Sequence, residues 1–301
     1  MIETVLEALQ FSFMRHALAA GVLVSVACGI VGTFVVIKRI VFISGGIAHA
    51  AYGGIGLGYY VKYSLLPAVL AGNSAAQDQR PGTWPLLGAV MFSLMAAVVM
   101  GLIQRRTRQR ADTIIGVLWA IGMAVGIVFV DLTAGYKADL MSYLFGSILA
   151  VERGELFVIL GLDVVIVLLV TLFYKELLAI SFDETFATVE NVPVDAIYIV
   201  LLCMVALTVV MMMRIVGLIM VIAMLTMPAA IAGRFVKDMK RMMVGSILLG
   251  MLFTVVGLGL SYVWNLTSGA SIILVSGAAY LVSLAMPLLW RRRPRSHGSP
   301  T

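Results

Sequence analysis

Nine apolar runs, each close to the length of a membrane-crossing helix, constrain this 301-residue chain more than any motif in it. They lie at about 16–37, 40–61, 84–103, 113–132, 156–174, 196–213, 216–233, 242–264 and 271–290. A helix needs roughly 20 apolar residues to cross a hydrocarbon core about 30 Å thick. The runs are continuous and lack the two-residue alternation of barrel strands, so the spans are helices. With 62% hydrophobic and 12% charged residues, the chain also lacks the polar surface a water-exposed core requires. The expected fold is all-α: a polytopic integral membrane bundle of about nine helices, with eight as the alternative. The alternative arises at two places. The stretch from Ile197 to Ala232 is broken only by Arg214, which reads as a tight outer hairpin with Arg214 snorkelling to the interface. Asp139 to Ala150 is too short to span and reads as a half-helix or surface helix on the outer side.

Positive charge sets the expected orientation. Lys38-Arg39, Arg105 to Arg110, Arg234 to Arg241 and Arg291 to Arg295 all fall on one side when the nine spans alternate, together with the 175–195 loop. Cytoplasmic loops carry such an excess, which places the N-terminus outside and the C-terminus inside. The net charge of +6 is therefore a property of loops, and no nucleic-acid partner is expected. Met1 to Gln10 holds Glu3 and Glu7 and no base, unlike a cleaved signal, so the first span is expected to be retained. Cys28 and Cys203 sit in apolar runs, form no CxxC and suggest neither a disulfide framework nor a zinc site. Residues 1–293 read as one transmembrane domain, 62–83 as a long external loop and 294–301 as a disordered cytoplasmic tail.

The stretch Phe42 to Tyr60, FISGGIAHAAYGGIGLGYY, is the most informative. Small residues let helix backbones approach in lipid, where no hydrophobic effect drives association. Ala50, Gly54 and Gly58 form one smooth stripe, while Gly45, His49 and Gly53 share another face. An intramembrane imidazole is costly and faces the protein interior or a wet path. His49 is then either hydrogen-bonded across a helix interface or a ligand for a first-row metal. Asp163 in the fifth run poses the same choice, between a functional carboxylate and a hydrated or protonated one near the outer end. Asp131 reads as interfacial, Asp112 as an N-cap with a gating role as the alternative, and Met211 to Met213 as packing.

Four stretches in order resemble the zinc/manganese/iron ABC permeases, the ABC-3 family. Phe42 to Tyr60 is similar to its second membrane segment, and Ala111 to Gly116 to its Asp-x-x-Ile-Gly helix start. Val216-Gly217-Leu218 through Thr226-Met227-Pro228-Ala229-Ala230 resembles its Val-Gly run ending in Pro-Ala-Ala. Ser261-Tyr262 with Leu266 to Ser271 resembles the loop before its last helix. The chain departs from the pattern at Gly45, where the family carries an aspartate one turn before the histidine. That departure bears on substrate identity more than on transport.

The resemblance implies a type II ABC importer permease in the inner membrane of a prokaryote. Its transported substrate would be a divalent metal, zinc or manganese with iron as a further option, and no cofactor would be permanently bound. The implied partners are a separate ABC ATPase, an extracytoplasmic metal-binding protein and a second permease copy forming a homodimer. His49, with Asp163 as a weaker candidate, would lie on the metal pathway. Gly45, Gly53, Gly54, Gly58, Asp112 and Pro228 would serve packing or gating. In such permeases the loop corresponding to Lys175–Asp195 docks on the ATPase, which implicates Phe182, Asp183, Glu184 and Phe186; an ordinary solvated loop is the alternative. Ser181 or Asp183 is expected to cap a short helix there, with Pro193 ending it. Phe182, Phe186 and Val189 would share its apolar face. No GxxxxGK[ST] loop occurs, so ATP hydrolysis would belong to another chain. A siderophore or cobalamin permease is the rival transport reading. An intramembrane enzyme would need a nucleophile–base pair that the sequence does not display.

Overall fold

The computed structural model describes residues 10–66, 84–107, 111–133, 146 and 148–290. Its helices, in chain order, are α1 (Ser12–Ile37), α2 (Val41–Tyr60), α3 (Trp84–Arg106), α4 (Ala111–Asp131), α5 (Arg153–Leu172), α6 (Tyr174–Phe182), α7 (Glu184–Val189), α8 (Val194–Val216), α9 (Leu218–Phe235), α10 (Met239–Trp264) and α11 (Ser268–Trp290). Among the described residues, nine are long and apolar enough to cross a membrane: all except the short α6 and α7. The nine-span reading holds, and the eight-span alternative falls.

Burial divides the spans into two groups. More than half of the apolar window is covered in α1, α2, α8 and α9, which form the centre. In α3, α4, α5, α10 and α11 it is less, and leucines and valines face outward. α2 is the most enclosed, held between α3 and α4, while α1 packs on α10, α9 and α5. Buried hydroxyls need partners where no water is available. Ser25, Thr33, Thr208 and Thr254 donate to the carbonyl four residues earlier on their own helices, at 2.6, 2.7, 2.8 and 2.9 Å. Met212 and Met213 are fully buried in the core, as packing residues.

The tight hairpin expected between the sixth and seventh spans is present, and Gly217 makes it. Its φ of 85° is strained for a side-chain-bearing residue, and its N–H still reaches Met213 O at 3.0 Å. The backbone of Gly146 lies directly against this turn. The side chain of Arg214 lies outside the described residues.

Several boundaries differ from expectation. Beyond Tyr60 the chain stays helical through a π-turn at Val61–Leu65, so the second span runs past residue 61. The rest of the expected external loop, 67–83, lies outside the described residues, as does the 294–301 tail. Of Asp139–Ala150, the described part is Gly146 and a single 3₁₀ turn, Ile148–Ala150, whose Ile148 packs into the core. Pro193 does not end the short helix. That role falls to Asn191 in the left-handed region at φ 58°, while Pro193 sits at the start of α8, where a residue without an N–H costs nothing.

Candidate functional site

Helix α2 can be enclosed because its glycines remove the side chains that would hold neighbours away. A Cβ on Gly54 would fall on the carbonyl of Gly88 in α3, and one on Gly58 on Trp84 and Pro85. On the other side, a Cβ on Gly53 would come within 2.8 Å of Gly122 O, and Gly56 abuts Gly126. Two glycine seams therefore press α3 and α4 onto opposite faces of α2 at backbone distance.

His49 lies midway along α2 on the α4 face and is 6% exposed. Its imidazole stacks on the indole of Trp119, with ring centroids 4.0 Å apart and planes 18° from parallel. Aromatic pairs contribute about 0.5–1.5 kcal/mol beyond the area they bury. The Nδ1 atom of His49 is buried and makes no hydrogen bond. Gly45 is one turn away, and a Cβ there would meet Trp119 Cζ3 at 3.5 Å and Ile222 Cδ1 at 3.8 Å, ordinary contact distances. The indole thus borders both His49 and the notch left by Gly45.

Asp163 is buried on α5, but its carboxyl faces the Ala27–Cys28 stretch of α1 rather than α4. It and His49 pack against different helices. Among the described residues, no three His, Cys, Asp or Glu side chains converge. Pro228 is buried inside α9, where its ring leaves a gap in the helical ladder. Thr226, two residues earlier, donates to Ile222 O at 2.9 Å. Asp112 is not the N-cap expected of it. The helix already runs at Ala111, so Asp112 occupies the first turn, where a carboxylate still favours the positive helix end. Asp112 lines a cavity of about 270 Å³ beneath the start of α2, with Arg39, Ile43, Gln104, Ile115 and Tyr198.

The basic end of the bundle holds a charged cluster. Glu184, the first residue of α7, pairs through Oε1 with Lys38 Nζ at the end of α1. Its Oε2 accepts from Arg105 Nη1 of α3 at 2.8 Å, and Arg105 Nε lies 3.2 Å from Asp195 of α8. Tyr198 lies under both cations and donates to Gln104 Oε1 at 2.6 Å. Burial would raise the Glu184 carboxyl, but hydrogen bonds and charge from Lys38 and Arg105 outweigh it and hold it below the usual carboxylate range. Asp183 caps α7, accepting from the N–H groups of Thr185 and Phe186 at 2.8 and 3.0 Å. Ser181 instead donates to Leu177 O within α6. Phe182, Phe186 and Val189 are 64%, 58% and 75% exposed, an apolar knob standing clear of the bundle.

Trp119, Lys38, Arg105 and Asp195 were not singled out as individual site residues by the sequence. Lys38 and Arg105 are visible there only as topology charges. Trp119 precedes the Gly122/Gly126 pair on α4 by three residues, the one local hint that it faces α2.

This architecture has relatives. The chain is 56% identical over 285 residues to an uncharacterized membrane protein of Synechocystis sp., covering 95% of this chain and 94% of that one. It is 34% identical over 276 residues to a probable metal transport system membrane protein of Chlamydia pneumoniae, covering 92% and 89%. Identity is 30% over 284 residues with the manganese import system permease protein ScaB of Streptococcus gordonii, covering 94% and 95%. Among solved structures, PsaBC from Streptococcus pneumoniae in complex with Fab superposes with a TM-score of 0.77 at 31% identity, over 94% of this chain and 95% of that chain. Residues 10–287 match the ABC 3 transport family, and the chain belongs to that family.

Proposed function

We propose that this chain is the membrane-spanning permease subunit of an ABC importer that carries a divalent metal, manganese foremost, into the cytoplasm. The observation that carries the reading is its end-to-end likeness, at 30% identity, to a permease named for manganese import. The basic end is taken as cytoplasmic, by the positive-inside rule. There Phe182 at the end of α6 and Phe186 and Val189 of α7 face a separate ATPase, and Glu184 ties α7 to α1 and α3.

Translocation needs a site that an ion can enter and leave with equal ease. His49 offers one borderline nitrogen ligand in mid-membrane, with no carboxylate at position 45 to trap the ion. One ATPase-docking helix per chain calls for two permease copies beside two ATPases, most simply as a homodimer. A metal-binding protein would deliver the ion on the outer side.

Proteoliposomes holding the permease with its ATPase and binding protein test the reading. ATP-dependent accumulation of manganese, competed poorly by zinc, is the expected result. Accumulation of zinc alone would overturn the choice of metal, and no metal-dependent uptake would overturn the function.

A further inference from the structure

The geometry points to Trp119 as a side-chain gate over His49: the indole closes the imidazole in this conformation, and metal reaches the imidazole only when the indole swings away. The inference rests on the pathway role proposed for His49 and adds a residue and a mechanism to it.

Three observations support the gate. The two rings stack at 4.0 Å with His49 almost fully covered, while Trp119 itself is 38% exposed, so the indole stands between His49 and the uncovered face of α4. The buried Nδ1 has no hydrogen-bond partner, an arrangement expected of a ligand held in reserve and costly for a purely structural histidine. Space for movement exists on both sides. A Cβ on Gly116, three residues before Trp119, would meet no atom within 4 Å, and Gly45 leaves a notch at the indole's other edge.

Depth argues the same way. Trp119 and His49 both lie near the middle of their helices, whereas tryptophans that anchor to lipid sit at the interfaces. A half-exposed indole at mid-span is therefore better placed to move against the path than to hold the protein in the bilayer. Gly122 and Gly126 seat α4 on α2 and fix the height of the indole, leaving side-chain rotation as the freedom that opens the site.

Diethyl pyrocarbonate, which acylates unprotonated imidazole, tests the gate in membranes holding the full transporter. Peptide mapping separates His49 from His16 and His297. Trp119→Leu keeps apolar bulk without the flat ring and should raise His49 modification about tenfold, the change expected of a closed state favoured about ten to one. Trp119→Phe, which keeps an aromatic face, should stay near the wild-type rate. Equal modification in wild type and Trp119→Leu would overturn the gate. A second measurement needs no variant: ATP-driven turnover should speed His49 modification in the wild-type complex over the nucleotide-free one, and an unchanged rate would also overturn it. The modification rate requires no knowledge of the metal, so a failed gate leaves the manganese reading standing, and a failed manganese assay leaves this result intact.

Discussion

Lys38 at the end of α1 is ion-paired with Glu184 at the start of α7, 146 residues later in the chain. The same carboxylate accepts from Arg105, so a helix of six residues is tied to two different spans. Ala187 is the one buried side chain of this six-residue helix, and the clamp adds a tie to two spans that lie outside its own stretch of chain.

Glu184→Gln should therefore uncouple more than it destabilises. Glu184 is 41% exposed, and pairs of that kind contribute about 0–1 kcal/mol. Membrane levels should stay normal while uptake and ATPase stimulation fall together. A variant with normal stimulation would show that the clamp does not transmit the ATPase's motion.

The clamp also predicts a pH response. The folded Glu184 carboxyl is held below its ordinary value, so its contribution is present above the unfolded pKa of about 4.3 and is lost as pH falls through the depressed folded value. ATPase stimulation by the intact complex should show no Glu184-dependent change from pH 8 down to about 5. A wild-type loss near neutrality that Glu184→Gln removes would contradict this assignment.

Replacing Phe182 and Phe186 with Ser should abolish co-purification of the ATPase and leave the permease intact. Exposed substitutions of this type usually fall within about 0.5 kcal/mol of wild type. Thermal unfolding in detergent checks the fold, and pull-down checks the dock. Undiminished pull-down would place the ATPase contact elsewhere.

Gly54 and Gly45 should respond in opposite ways to added volume. Gly54→Val forces a branched side chain onto the Gly88 backbone, and overpacking costs typically about 1–3 kcal/mol. Its melting temperature and membrane level should both drop. Gly45→Ala meets only ordinary contacts and should match wild type in both. Equal stability of the two variants would mean that the α2–α3 seam can open freely.

His49→Ala should abolish metal uptake at normal membrane level. His49→Gln retains hydrogen bonding but loses the imidazole, so normal transport by it would reduce His49 to a packing residue. Gly45→Asp adds an anionic oxygen one turn from the imidazole, which should tighten metal binding and slow release. Metal binding by isothermal titration and uptake rate should then move in opposite directions.

The spans were legible because hydropathy and helix rise are local properties: about 20 apolar residues suffice to define each one, whatever lies beside it. The tight turn at Gly217 was legible for a similar reason, since almost no polar chain separates two spans there. Local chemistry also placed a cap at Asp183, but it misassigned Asp112 and Pro193, where helices that start two residues before the apolar runs, at Ala111 and Val194, change a cap into a first-turn residue and a terminator into an initiator. The i, i+4 spacing put Gly45, His49 and Gly53 on one face of α2. It did not say that Trp119, 70 positions away, would lie on that face, or that α5 would turn Asp163 toward α1 instead. Nor could it join Lys38 to Glu184, because each base looked like one more positive charge on a loop. Spans follow from the free energy of one segment in lipid, whereas a buried ring stack or a three-helix ion pair exists only after close packing has chosen which helices meet.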